Sequence, residues 1–164
     1  ENKLKLFFSY VDTPLGEIEL TSSDQHLLSA LFVKTEKNVL DKQPVLHSEI
    51  NEEAKKQLTS FFKKEIIEFN LPINPAGTEF QKTVWNELIK IPFGTTISYL
   101  TLAKKLGDVN SIRAAASANG KNPIAIIIPC HRVIGADGKM VGYSGDIWRN
   151  LWLVEHESKQ EKLF

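Results

Sequence analysis

The chain has 164 residues, of which 42% are hydrophobic and 24% charged, with a formal net charge of +0; this is the profile of an ordinary globular protein of one domain, or one with a smaller domain attached, and not of a disordered chain. No apolar run approaches the roughly 20 residues of a membrane-spanning helix, and the opening ENKLKLFFSY lacks the h-region and cleavage site of an export signal. The single cysteine excludes an internal disulfide and predicts a reducing, intracellular setting; with four scattered histidines it leaves no zinc-ligand spacing.

The first third predicts short strands. LKLFFSYV, GEIEL and LLSALFV are separated by DTPLG and TSSDQH, which have turn composition. A helix is predicted next, capped near Asn51, with Ala54, Leu58, Phe61 and Phe62 on one face. LPINPAG then breaks the pattern, and the domain boundary is placed there: an N-terminal α/β domain over 1–75 and a C-terminal domain over 76–164. Residues 1–75 hold nine Lys/Arg against twelve Asp/Glu, and residues 76–164 eleven against eight, so a polyanionic partner is expected to meet the second half.

That half is better punctuated. TEFQ forms a capping box of Thr78 and Gln81, and Phe80, Val84 and Leu88 predict an amphipathic helix over 79–90, stopped by Pro92. SYLTLAKKLG starts at a Ser98 cap and ends at Gly107; NSIRAAASANG starts near Asn110 and ends at Gly120. Two short helices joined by a tight turn make a helix-turn-helix pattern. A strand, IAIII, carries the chain to Cys130, a glycine-rich loop follows, and a last helix from about Ile147 contains Trp148 and Trp152, assigned to its packed face.

Chemistry concentrates in IPCHRV, residues 128–133. An isolated cysteine is by default a small core hydrophobe, and a thiol with an ordinary pKa of about 8.5 needs help to react at neutral pH. His131 is adjacent, but neighbours on an extended strand point to opposite faces. Either the chain turns sharply after Pro129 or a water bridges the two side chains. A histidine base also needs a third group to fix its tautomer, and Glu155 and Glu157 are both candidates.

NPIAIIIPCHRVIGADG, GYSGD and the terminal WLVEHE, with GTEFQKTVWNELIKIPFGTTISYLTLAKKLG upstream, closely resemble the O6-alkylguanine-DNA alkyltransferases over residues 76–158. Before that only TPLGEIEL and the general spacing match. The resemblance implies an α+β fold: a small N-terminal β-sheet domain with a helix, ribonuclease H-like in the family, then a mainly helical domain carrying the helix-turn-helix and the active-site cysteine. It implies direct-reversal repair of O6-alkylguanine in double-stranded DNA by a monomer without cofactor or metal, in the cytoplasm or a eukaryotic nucleus; acceptance of O4-methylthymine is left open by the sequence. Cys130 matches the alkyl acceptor, His131 the base acting through a bridging water, Glu157 the carboxylate that orients it, Asn122 the brace of the site, and Tyr99 the proton donor to the leaving guanine. Val133, Tyr143 and Ser144 match base-pocket positions, and Arg113, with Ala114 and Ser117 on the same helix, the DNA contacts; Arg113 fills the space of the everted nucleotide.

The match has departures. Asn150 stands where relatives often carry lysine, Asp146 replaces a glycine, and the N-terminal cysteines that bind zinc in some members are missing. A non-catalytic lesion sensor of the same family is the nearest alternative, although such proteins replace the cysteine that this chain keeps. A helix-turn-helix regulator would need neither PCHR nor the terminal glutamate, and a Cys–His hydrolase would turn over without DNA.

Overall fold

The computed structural model describes residues 4–34, 42–135 and 147–161. The chain forms two compact units, one of residues 1–76 with 123–125, the other of residues 77–122 with 126–164.

In the first unit β1 (Phe7–Thr13), β2 (Gly16–Ser22) and β3 (Leu27–Phe32) form an antiparallel sheet in the order β1-β2-β3. Strand alternation sends Ser9 and Val11, and Ile18 and Leu20, to the buried side, and a register shift between Thr21 and Ser22 brings both Leu27 and Ala30 of β3 there, three positions apart. The register pairs Val11 with Ile18 and Leu20 with both Ser9 and Ala30. The β1–β2 turn is two residues long; Thr13 Oγ1 accepts from the Leu15 amide at 3.0 Å, and Gly16 takes φ 124°, which favours glycine. Helix α1 (Glu49–Phe62) packs on the sheet through Ala54, Leu58 and Phe61. Its cap is Ser48, whose hydroxyl accepts from the Asn51 amide, and not Asn51 as expected. Asn51 is already inside the helix, where its Nδ2 donates to Phe7 O at 3.1 Å.

The free edge of β3 is covered by main chain. Leu27 bonds to Pro72 O and Asn74 N, and Ala30 to Pro123 O and Ala125 N, each at 2.8–2.9 Å. This overturns the strand expected at 124–128: Ile124 makes one parallel bridge to Ala30, and the chain then turns with Ile126 at φ 71°. That left-handed conformation is costly for a β-branched residue and stops the extended run after Ala125.

In the second unit α2 (Glu79–Ile89) begins with the expected capping box, Thr78 and Gln81 each bonding the other's amide. Its buried side chains are Val84, Trp85 and Leu88, whereas Phe80 is exposed, contrary to its expected place on the packed face. Trp85 donates to Ala118 O at 2.9 Å, tying α2 to α4 (Ile112–Gly120). A Cβ on Gly77 would lie 2.6 Å from the Trp85 ring, so the residue before the Thr78 cap has to be small.

Ser98 caps α3 (Tyr99–Lys105), and Gly107 at φ 91° turns the chain into an Asp108-capped 3₁₀ turn, Val109–Ser111, so that α4 starts two residues later than the expected Asn110. Strands β4 (Ile97–Ser98) and β5 (Val133–Ile134) pair in parallel, and α5 (Ile147–Glu161) turns Leu153, His156 and Glu157 inward. Trp148 is 52% exposed, which corrects its assignment to the packed face; Trp152 is half-buried and stacks on His156 at 4.9 Å. Among the described residues no helix is long and apolar enough to cross a membrane.

Candidate active site

Pro129 makes the turn that the adjacency of Cys130 and His131 requires. At φ −82° and ψ 69° it is the centre of an inverse γ-turn, closed by the Cys130 amide on Ile128 O at 2.8 Å. A 3₁₀ turn, Cys130–Arg132, follows at once, with the Arg132 amide on Pro129 O at 3.0 Å. The cysteine and histidine therefore do not alternate across a strand. Cys130 is left partly exposed, while His131 is 0% and Arg132 7% exposed. Asn122 braces the approach by donating Nδ2 to Ile128 O at 2.7 Å.

Glu157 on α5 gathers this turn. His131 Nε2 lies 2.7 Å from Oε2, Arg132 donates through Nε and Nη2 at 3.0 and 2.9 Å, and the Gly94 amide approaches Oε1 at a long 3.5 Å. Arg132 Nη1 also donates to Ile91 O at 2.7 Å. Burial alone would raise the Glu157 pKa, but the hydrogen bonds from His131 and Arg132 and their charge hold it at about 2. Burial lowers His131 below its ordinary 6.5, and Arg132 adds to this although Glu157 opposes it. The physical sense is clear: the arginine already neutralises the carboxylate, so a protonated ring would be an unbalanced buried charge. An ionised carboxylate only accepts, so Nε2 carries the ring hydrogen and Nδ1 keeps its lone pair. Nδ1 is buried and has no hydrogen-bond partner among the described residues.

Tyr99, at the first turn of α3, and Val133, on β5, are both buried. Arg113, Ala114 and Ser117 lie on the exposed face of α4, opposite the buried Ala115, Ala118 and Asn119. Glu155, the other carboxylate considered, is exposed. Tyr143 and Ser144 lie outside the described residues, as does most of the glycine-rich loop. No group of three or more His, Cys, Asp and Glu side chains is arranged to hold a metal ion among the described residues.

Two participants were given no role from sequence. Arg132 stood inside the quoted motif, and its signal was a charge set between apolar residues. Asn119 donates Nδ2 to the Tyr99 hydroxyl at 3.2 Å and to Cys130 O at 3.3 Å. Its signal was a polar residue on the same helix face as Ala115 and Ala118.

Fold and site together define an α+β protein with a helix-turn-helix pattern and a part-exposed cysteine beside a buried histidine–glutamate–arginine set. Residues 79–159 match the DNA binding domain of 6-O-methylguanine DNA methyltransferase, and residues 6–75 match its ribonuclease-like domain. The methylated-DNA–protein-cysteine methyltransferase of Methanosarcina acetivorans is 41% identical over 143 residues, 87% of this chain and 92% of that one. The constitutive enzyme of that name from Bacillus subtilis is 36% identical, covering 95% and 99%. The crystal structure of Mycobacterium tuberculosis O6-methylguanine methyltransferase superposes with a TM-score of 0.85 at 36% identity, over 94% of each chain, and the same protein in complex with DNA gives 0.83 at 37%, over 93% of each. The chain belongs to the 6-O-methylguanine DNA methyltransferase family.

Proposed function

We propose that this chain reverses O6-alkylguanine damage in double-stranded DNA, moving the alkyl group from the base to Cys130 and keeping it there. The observation that carries the reading is the 2.7 Å contact between His131 and Glu157, which leaves a buried basic lone pair on the residue next to a part-exposed thiol. The thiol proton passes to His131 Nδ1 through a bridging water, since a buried polar atom without a protein partner is where an ordered water binds. Glu157 and Arg132 stay ionised throughout and fix the ring.

The thiolate attacks the alkyl carbon; the S–C bond forms as the C–O6 bond breaks. Guanine leaves as a neutral base when Tyr99 gives its proton to a ring nitrogen. The thioether formed has no hydrolytic exit, so each molecule acts once. A base edge inside a stacked duplex is out of reach, so the nucleotide must be flipped, at a cost of a few kcal/mol. Arg113 on the exposed face of α4 fills the gap, with Ala114 and Ser117 close to the DNA backbone, and Val133 meets the everted base. The protein works as a monomer, in the cytoplasm or in a nucleus where the cell has one, with no cofactor or metal.

Intact-mass analysis after exposure to duplex DNA carrying O6-methylguanine tests this. One methyl group is expected on Cys130 and one lesion repaired per molecule, with Cys130→Ala retaining lesion binding and losing transfer. An unmodified thiol, or repair of several equivalents, overturns the reading.

A further inference from the structure

A buried asparagine is out of place on α4. The helix otherwise buries only alanines, Ala115 and Ala118, while Asn119 is 1% exposed. Asparagine is a mediocre helix former, and a buried amide is unfavourable unless its hydrogen bonds are made. What distinguishes Asn119 is where its amide hydrogens go: one to the hydroxyl of Tyr99, the other to the main-chain carbonyl of Cys130.

The second contact decides the sense of the first. A carbonyl oxygen only accepts, so the amide atom 3.3 Å from Cys130 O has to be the nitrogen. The same nitrogen faces Tyr99, so the tyrosine oxygen receives a hydrogen from Asn119 and does not give one to it. The hydroxyl keeps its own proton for another acceptor. A donor already in place on that oxygen also stabilises the negative charge that grows there as the proton departs, without reorganisation at the moment of reaction.

We propose that Asn119 is a positioning residue for alkyl transfer, setting the Tyr99 hydroxyl as a proton donor and registering it against the Cys130 main chain through one amide group. This rests on the transfer reaction proposed above and goes beyond it. The linkage ties the group that receives the alkyl to the group that releases the base, so attack and protonation occur at a fixed separation.

The test is a double-mutant cycle on the single-turnover transfer rate, at saturating lesion-bearing duplex, with wild type, Asn119→Leu, Tyr99→Phe and the double variant. Asn119→Leu is expected to slow transfer about tenfold in the wild-type background, part of the contribution a general acid makes. In the Tyr99→Phe background the same change is expected to slow it less than about twofold, because there is no hydroxyl left to orient. Equal losses in both backgrounds would make Asn119 a support of the fold alone and overturn the proposal, as would a wild-type rate in Asn119→Leu. A Tyr99→Phe variant at full rate overturns it too, yet leaves transfer to Cys130 standing; a wild-type protein that gains no alkyl group removes the underlying reaction itself. Should Asn119→Leu fail to fold, Asn119→Ala carries the same cycle with the same criteria.

Discussion

The two units bury polar groups of different kinds. Among the described residues the first encloses Ser9, Ser22, Ser23 and Asn51, all neutral, whereas the second encloses Arg132 and Glu157 as an ion pair, with His131, His156 and Asn119. In the first unit the buried polar groups serve secondary structure: Ser48 caps α1 and meets Ser22 Oγ at 2.6 Å, and Asn51 holds Phe7 O. In the second His131, Arg132, Glu157 and Asn119 converge on one turn beside the only cysteine. A buried ion pair adds little net stability against an apolar replacement of the same shape. Its presence in one unit only therefore says where stability gives way to chemistry.

The largest expected effect comes from breaking that pair. Glu157→Gln leaves the Arg132 guanidinium buried beside a neutral amide, which costs roughly 3–5 kcal/mol. It also removes the group that fixes the His131 tautomer, and the transfer rate is expected to fall by about 100-fold or more. All three tryptophans, Trp85, Trp148 and Trp152, lie in the second unit, so their fluorescence during urea unfolding reports that unit alone. A Glu157→Gln variant with an unchanged midpoint and rate would mean that the pair is ornamental.

Acid should separate the two units as well. His131 is held below its ordinary 6.5, so below that pH the unfolded chain binds a proton that the folded chain refuses, and stability falls as pH drops. Glu157, lowered from 4.5 to about 2, contributes stability above pH 4.5 and loses it as pH falls toward 2. Both terms have the same sign and both lie in the second unit. The tryptophan-reported transition is expected to weaken steadily on acidification below about pH 6.5, and His131→Gln to flatten the upper part of that slope. A stability that rises between pH 7 and 5 would contradict a neutral buried His131. The transfer rate is expected to hold through pH 6.5 and to fall only at lower pH, where the folded protein at last protonates the basic lone pair.

What could be read from the sequence follows the range of the interactions. The Thr78–Gln81 box, the Ser98 cap and the stop at Pro92 involve partners within a few residues, and they are where the pattern puts them. The α1 cap was misplaced because two capping residues compete within four positions, and the decision falls to Phe7, 44 residues away, which draws Asn51 inward. The strand at 124–128 failed for a similar reason: Ala30 holds the main chain on either side of Ile124, and Ile126 then turns. For the site, a thiol, a base and a carboxylate were legible as residue types. The roles of Arg132 and Asn119 were not, because they depend on contacts spanning 25 and 11–20 positions that no periodicity encodes.

The smallest expected effect has the opposite sign and belongs to the first unit. Helix α1 ends in a Schellman arrangement: the Lys64 amide bonds Phe61 O at 3.0 Å and the Glu65 amide bonds Ser60 O at 2.9 Å. This requires Lys64 to adopt φ 64°, a left-handed conformation that costs a residue with a Cβ about 1–2 kcal/mol. Glycine removes that strain but adds freedom to the unfolded chain, so Lys64→Gly should stabilise by about 0.5–1 kcal/mol. Far-ultraviolet circular dichroism, which sees α1 along with the helices of the second unit, is read against the tryptophan signal of the second unit, and the transfer rate should be unchanged. A gain confined to the first unit would show that its stability can be raised without touching the reaction. A variant that melted earlier would mean that the lysine side chain contributes more than its backbone strain removes.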